Sequence, residues 1–155
     1  MKIQSSPMIS VVIPLYNKLD HIIRTVDSVL AQTFTNYELI VVDDGSTDGS
    51  PNLVEKHRGE HIKLIRQVNA GVSEARNQGS KAARGEIIAF IDADDTWEPH
   101  FLAEICSMYS EFPEADCFAT SYQFVLDKDR YHSPKIRFKK RMHRSGLLKN
   151  YFEVS

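Results

Sequence analysis

Short apolar runs alternate with helix-period segments along the first hundred residues, and that alternation admits very few folds. Met8–Leu15 (MISVVIPL) is apolar and rich in β-branched residues, with Pro14 near its end, and reads as a buried strand. Ile22, Ile23, Val26, Val29 and Leu30 then recur at helical spacing, predicting an amphipathic helix over 19–32. Tyr37–Asp43 (YELIVVD) reads as a second strand, and Ser46, Thr47 and Asp48 offer N-caps for a helix over 50–57. A third strand is expected over 62–67. A helix follows over 72–84, stopped by Gly85 as a C′ residue, and then a fourth strand over 86–91 (EIIAFI). Pro99 suits the first turn of a helix over 99–112. Beyond it we expect a longer strand at 117–126, a turn at 127–129 into another extended piece, and a short helix at 146–152. Strand and helix alternating at this spacing predict an α/β domain: a doubly wound, mostly parallel sheet with helices on both faces.

At 155 residues the chain has the size of one domain, able to bury roughly 70% of its unfolded surface. No run approaches the ~18 apolar residues of a membrane span, and residues 1–7 have no apolar signal core. Cys106 and Cys117, eleven apart, fit neither a redox pair nor a zinc knuckle, and the expected setting is cytoplasmic. Residues 1–134 carry 12 Lys and Arg against 20 Asp and Glu, whereas 135–155 carry 7 against 1. An acidic body suits a divalent cation and argues against nucleic acid as a partner.

In an open parallel sheet, ligands bind outside the carboxyl ends of the strands. Polar clusters fall at four such ends: Pro14, Tyr16 and Asn17; Asp43, Asp44, Gly45 and Ser46; Asn69 to Gly71 with Arg76 beyond; and Asp92 to Asp95. The last cluster is the sharpest. Three carboxylates within four residues repel one another unless a positive charge sits among them. Read as a strand continuation, Asp92 and Asp94 point to one site and Asp95 elsewhere. Hard oxygen donors suit Mg²⁺ or Mn²⁺, completed by waters and substrate phosphates. Asp43 and Asp44 allow two readings, a nucleoside contact or an Asx-turn with a helix cap. Arg76 likewise reads as a phosphate fork or as a surface arginine.

The seven glycines never fall two apart and no GK[ST] occurs, so neither dinucleotide nor P-loop signatures are present. Residues 57–61 (HRGEH) match an inverted zincin pattern, but Gly59 interrupts the helix that pattern requires.

Taken in order, Ser10–Lys18 (SVVIPLYNK), Ser28–Thr33 (SVLAQT), Glu38–Ser50 (ELIVVDDGSTDGS), Asn69–Gly79 (NAGVSEARNQG) and Gly85–Asp95 (GEIIAFIDADD) resemble the amino-terminal part of glycosyltransferase family 2. The resemblance implies the GT-A fold and inverting transfer from a nucleotide-diphosphate sugar, UDP-sugar favoured, to a saccharide or lipid-linked acceptor. It implies that Pro14, Tyr16 and Asp44 line the nucleoside, with Asp43 beside them, and that Arg76 contacts the donor. Asp92 and Asp94 resemble the DxD motif, the second carboxylate reaching the metal. The family's catalytic base lies in a later segment. After Asp129 the only carboxylate side chain is Glu153, so the expectation is a chain that stops before its base. That leaves a non-catalytic donor-binding module as the alternative. A nucleotidyltransferase would want a glycine-rich basic loop where Pro14–Asn17 stands. Lys135–Arg144 (KIRFKKRMHR) reads either as a strand with Ile136 and Phe138 turned inward or as a peripheral contact with an anionic membrane.

Overall fold

The computed structural model describes residues 6–58, 62–120, 122–127 and 130–132. The chain divides into two compact units, Met1–Ala103 and Glu104–Ser155. In the first, β1 (Ile9–Leu15), α1 (Ile22–Leu30), β2 (Tyr37–Asp43), α2 (Ser50–Arg58), β3 (Ile62–Arg66), α3 (Val72–Ala82) and β4 (Ile87–Phe90) alternate as expected, and α4 (Phe101–Glu111) begins. The sheet is wholly parallel, in the order β3-β2-β1-β4.

This order follows from handedness. Stepping from β1 to β2 to β3 with right-handed crossovers puts α1 and α2 on one face, and the return past β1 to β4 puts α3 on the other. Because β1 is covered on both faces, every one of its residues is buried, as its continuous apolar run requires. Ala75 of α3 joins Val12, Ile40 and Val42 in a core cluster. Gly79 brings α3 down onto β1, since a Cβ there would overlap Val12 Cγ1.

Pro14 is tolerated in a central strand because β4 has already ended. Val12 is the last β1 residue in register with β4, opposite Phe90, so the side on which Pro14 lacks an N–H has no partner strand.

Gly85 is not the helix cap that its position suggests. α3 ends at Ala82, and Ala83 is already extended at φ −68° and ψ 144°. Close approach explains Gly85 instead, because a Cβ would lie 2.6 Å from the Ser10 nitrogen. The buried Ser10 hydroxyl donates to Glu38 at 2.7 Å and accepts the Gly85 N–H at 2.8 Å. Helices α1 and α4 are shorter than expected, and Glu98 to Phe101 forms a turn in which Pro99 accepts the Thr33 N–H at 2.9 Å.

The second unit holds the remainder of α4 and an antiparallel pair, β5 (Phe124–Asp127) with β6 (Arg130–His132). Of the strand expected over 117–126, the described residues form only the end. Gly59, the basic stretch 135–144 and the expected helix at 146–152 lie outside the described residues. Among those described, no helix is long and apolar enough to cross a membrane.

Candidate functional site

Strand order reverses between β1 and β4, so the crevice of this sheet opens at their carboxyl ends. The loops there brace one another. Asn17 adopts φ 51°, a left-handed conformation that asparagine tolerates. Its N–H donates to Ser46 Oγ at 3.1 Å, and its carboxamide oxygen accepts the Thr47 N–H at 2.8 Å. Asp48 accepts the Leu19 N–H at 2.9 Å and also the Ser50 N–H at 2.9 Å, capping α2. Burial would raise the Asp48 carboxyl pKa, but the bonds from Ser50 and Leu19 outweigh it and hold the carboxyl below its ordinary value.

The two acids ending β2 have different roles. Asp43 accepts the Ser46 N–H at 2.9 Å, the Asx-turn that a structural reading of this pair requires. Asp44, 3% exposed, reaches across to the β3–α3 loop. It accepts Gln67 Nε2 at 2.7 Å, the Ala70 N–H at 2.8 Å and the Gly71 N–H at 2.9 Å. Burial pushes its pKa up, yet those three donors prevail and hold it below the usual carboxylate range. Beside it lies a cleft of about 310 Å³ lined by Pro14, Leu15, Tyr16, Asp44, Asn69, Gly71, Val72 and Ala75. Pro14, Tyr16 and Asp44 therefore meet in one cavity, while Asp43 faces its own loop.

Asp92 to Asp95 is not a strand continuation. β4 stops at Phe90, and the Asp95 N–H closes a turn onto the Asp92 carbonyl at 3.0 Å. The parity argument for Asp92 and Asp94 therefore fails, and the two carboxylates take different partners. Arg76 Nη2 donates to Asp92 at 2.6 Å, and Lys18 Nζ donates to Asp94 at 2.7 Å. Repulsion among the acids is relieved by cations from α3 and from the β1–α1 loop. Hydrogen bonding to Lys18 holds the Asp94 carboxyl below its ordinary value, whereas burial and then the charges of Asp94 and Asp92 push Asp95 up. Arg76 Nε is buried without a hydrogen-bond partner. Helix α1 holds the turn in place: Thr25 Oγ1 donates to the Ala93 carbonyl at 2.9 Å and Arg24 to that of Asp94 at 3.1 Å.

Lys18, Arg24, Thr25 and Gln67 were not among the residues expected from sequence. Lys18 closes the run Ser10–Lys18, but its partner lies 76 residues away and no local pattern joins them. His57, from the zincin-like run, contacts Asp27 at 2.7 Å, and α2 ends at Arg58.

A parallel sheet with a cleft and an acidic turn at its point of reversal defines a domain of the α/β class. The chain belongs to glycosyl transferase family 2, whose sequence pattern matches residues 10–154. It is 44% identical over 104 residues to an uncharacterized glycosyltransferase of Nostoc sp., covering 65% of this chain and 32% of that one. It spans about a third of the length of such curated relatives. The crystal structure of S. aureus TarS 1–349 with UDP-GlcNAc is similar, with a TM-score of 0.64 and 33% identity over 68% of this chain and 32% of that one. Mannosyltransferase PcManGT from Pyrobaculum calidifontis, in complex with GDP-Man and Mn²⁺, gives 0.55 and 32% over 61% and 29%. The architecture is thus the GT-A type of these transferases.

Proposed function

We propose that this chain forms the donor side of an inverting, metal-dependent sugar transfer from a nucleotide-diphosphate sugar to a saccharide or lipid-linked acceptor. The observation that carries the reading is the cleft at the sheet's reversal, with Asp92 and Asp94 on one adjoining turn and Arg76 directly following the cleft residue Ala75. Tyr16, half exposed on the rim, offers a face for a base, and Asp44 fixes the opposite wall. UDP is favoured over GDP by the resemblance and by the closer similarity to the UDP-GlcNAc complex.

The acidic turn fits a divalent cation. Asp94 already binds a positive group, the Lys18 ammonium, and remains 42% exposed, so its oxygens are both anionic and accessible. Among the described residues no three acidic, histidine or cysteine side chains converge, so an ion here would depend on the donor. Mg²⁺ or Mn²⁺ would suit such a site, using one or two carboxylates with water and phosphate oxygens completing the shell. Asp94 would hold the ion with Asp92 in support, and a bound ion would neutralise charge on the departing diphosphate. Arg76, with an unused Nε–H, would bind donor oxygens, and Thr25 keeps the turn oriented. Residues 135–144 are proposed to contact an anionic membrane, where lipid-linked acceptors reside.

Calorimetry with UDP tests the donor reading. Binding should require Mn²⁺ or Mg²⁺ and weaken about tenfold or more in Asp94→Ala, the scale of one strong charged contact. Equal affinity with and without chelator removes the metal from the proposal.

A further inference from the structure

We propose that Lys18 is a built-in rival of the divalent cation at Asp94, so that cation entry, diphosphate entry and release of the Lys18 ammonium are linked events. The inference rests on the donor-site reading above and adds to it a residue that sets when the cation binds.

Its basis is a single carboxylate that already has a cationic partner. Lys18 Nζ sits 2.7 Å from Asp94 Oδ2, with the two side chains 39% and 42% exposed, so the pair closes the turn without being sealed from solvent. A divalent ion drawn to Asp94 meets the ammonium's positive charge on the same carboxylate, and the two cations repel at that range. Asp92 is engaged in the same way by Arg76, so neither of these carboxylates is free of a counterion.

The backbone around Lys18 is fixed on both sides. Asn17 is bonded through its N–H and its carboxamide to the β2–α2 loop, and the Leu19 N–H is held by Asp48. The Lys18 carbonyl accepts the His21 and Ile22 N–H groups at 3.0 and 2.9 Å. Only the side chain is left to move, and a lysine offers a compact charge on a flexible four-carbon stem. Displaced from Asp94, that ammonium needs a new anion. A nucleoside diphosphate arriving with the cation supplies one beside the same turn. The cation alone leaves the displaced ammonium without an anion, whereas cation and diphosphate together exchange one anionic partner for another. Linkage then requires each to strengthen binding of the other.

Titration of the free Mn²⁺ paramagnetic resonance signal tests this. The samples are the parent chain, Lys18→Gln and Lys18→Arg, each with and without UDP and corrected with protein-free UDP. Circular dichroism verifies that each variant is folded. Lys18→Gln should bind Mn²⁺ alone about threefold more tightly, the order expected when one partly exposed ion pair is lost. It should also gain less from UDP than the parent does. Lys18→Arg, which keeps the rival charge, should stay near the parent. If UDP promotes Mn²⁺ binding in the parent but Lys18→Gln binds Mn²⁺ alone no more tightly, the rivalry is overturned and the donor reading stands. If the parent takes up no Mn²⁺ even with UDP, both fall.

Discussion

Asp44 holds the cleft together, and its removal has a cost that follows from its bonds. Asp44→Ala deletes the acceptor of three donors: Gln67 Nε2, the Ala70 N–H and the Gly71 N–H. Hydrogen bonds to a charged group contribute roughly 1.5–3 kcal/mol each, and a stranded buried donor costs about 1–3 kcal/mol. Ala70 and Gly71 are exposed residues, so water can replace much of what they lose, while Gln67 is half-buried. The expected loss is therefore about 2–4 kcal/mol, well below the sum of three full bonds. Urea denaturation at neutral pH should show it as a lower midpoint with an unchanged slope.

The pH dependence has a fixed sign. The folded pKa of Asp44 is depressed, so its contribution is complete above the unfolded value of about 3.9 and fades as pH falls through the lower folded value. Glu38 and Asp48 are depressed as well and share this acid limb. The difference between the parent and Asp44→Asn isolates the part due to Asp44: the parent's advantage should shrink towards acid. A variant within about 0.5 kcal/mol of the parent, the range of a neutral surface change, with an identical acid limb would show that these bonds do not hold the loop.

Two further expectations concern other parts of the molecule. Gly79→Ala should lower the melting temperature, because overpacking against Val12 costs about 1–3 kcal/mol and exceeds the ~1 kcal/mol helix gain. In a Val12→Ala background the same change should become neutral or stabilising. Sedimentation with anionic vesicles should show binding that falls steeply between low and physiological salt and is reduced when Lys139, Lys140 and Arg141 become glutamine. Equal pelleting of that variant and the parent would remove the membrane contact.

The parts legible in the sequence were those encoded by local period. β-branched runs marked the four parallel strands, and Ile22, Val26 and Val29 marked the buried face of α1. The polar strand ends pointed to the crevice because parallel topology leaves ligands nowhere else to approach. Two departures share a cause. Strand parity gives Asp92 and Asp94 one direction, but β4 ends before them and a turn has no period of two. Local position gives Gly85 a helix end, when its reason is the nitrogen of Ser10, 75 residues earlier. Lys18 was hidden for the same reason, since nothing local distinguishes a lysine bound to a distant aspartate from one in water; Arg76 stood out, but not its pairing with Asp92.

The bracing of the crevice loops by Asn17, Asp44 and Asp48 has a consequence for how such a site diversifies. Each of these side chains bonds the backbone of another loop, across 26 to 30 residues. Inserting or deleting a residue in any of the three would strand amides in a neighbour. Lengthening any of the three loops therefore carries a cost in lost bonds. The cleft positions Tyr16 and Val72 expose 48% and 49% of their surface, and their side chains take no part in the bracing. A laboratory library, or lineage drift, that reshapes this cleft should thus accept replacements at these two points while rejecting changes of length between them.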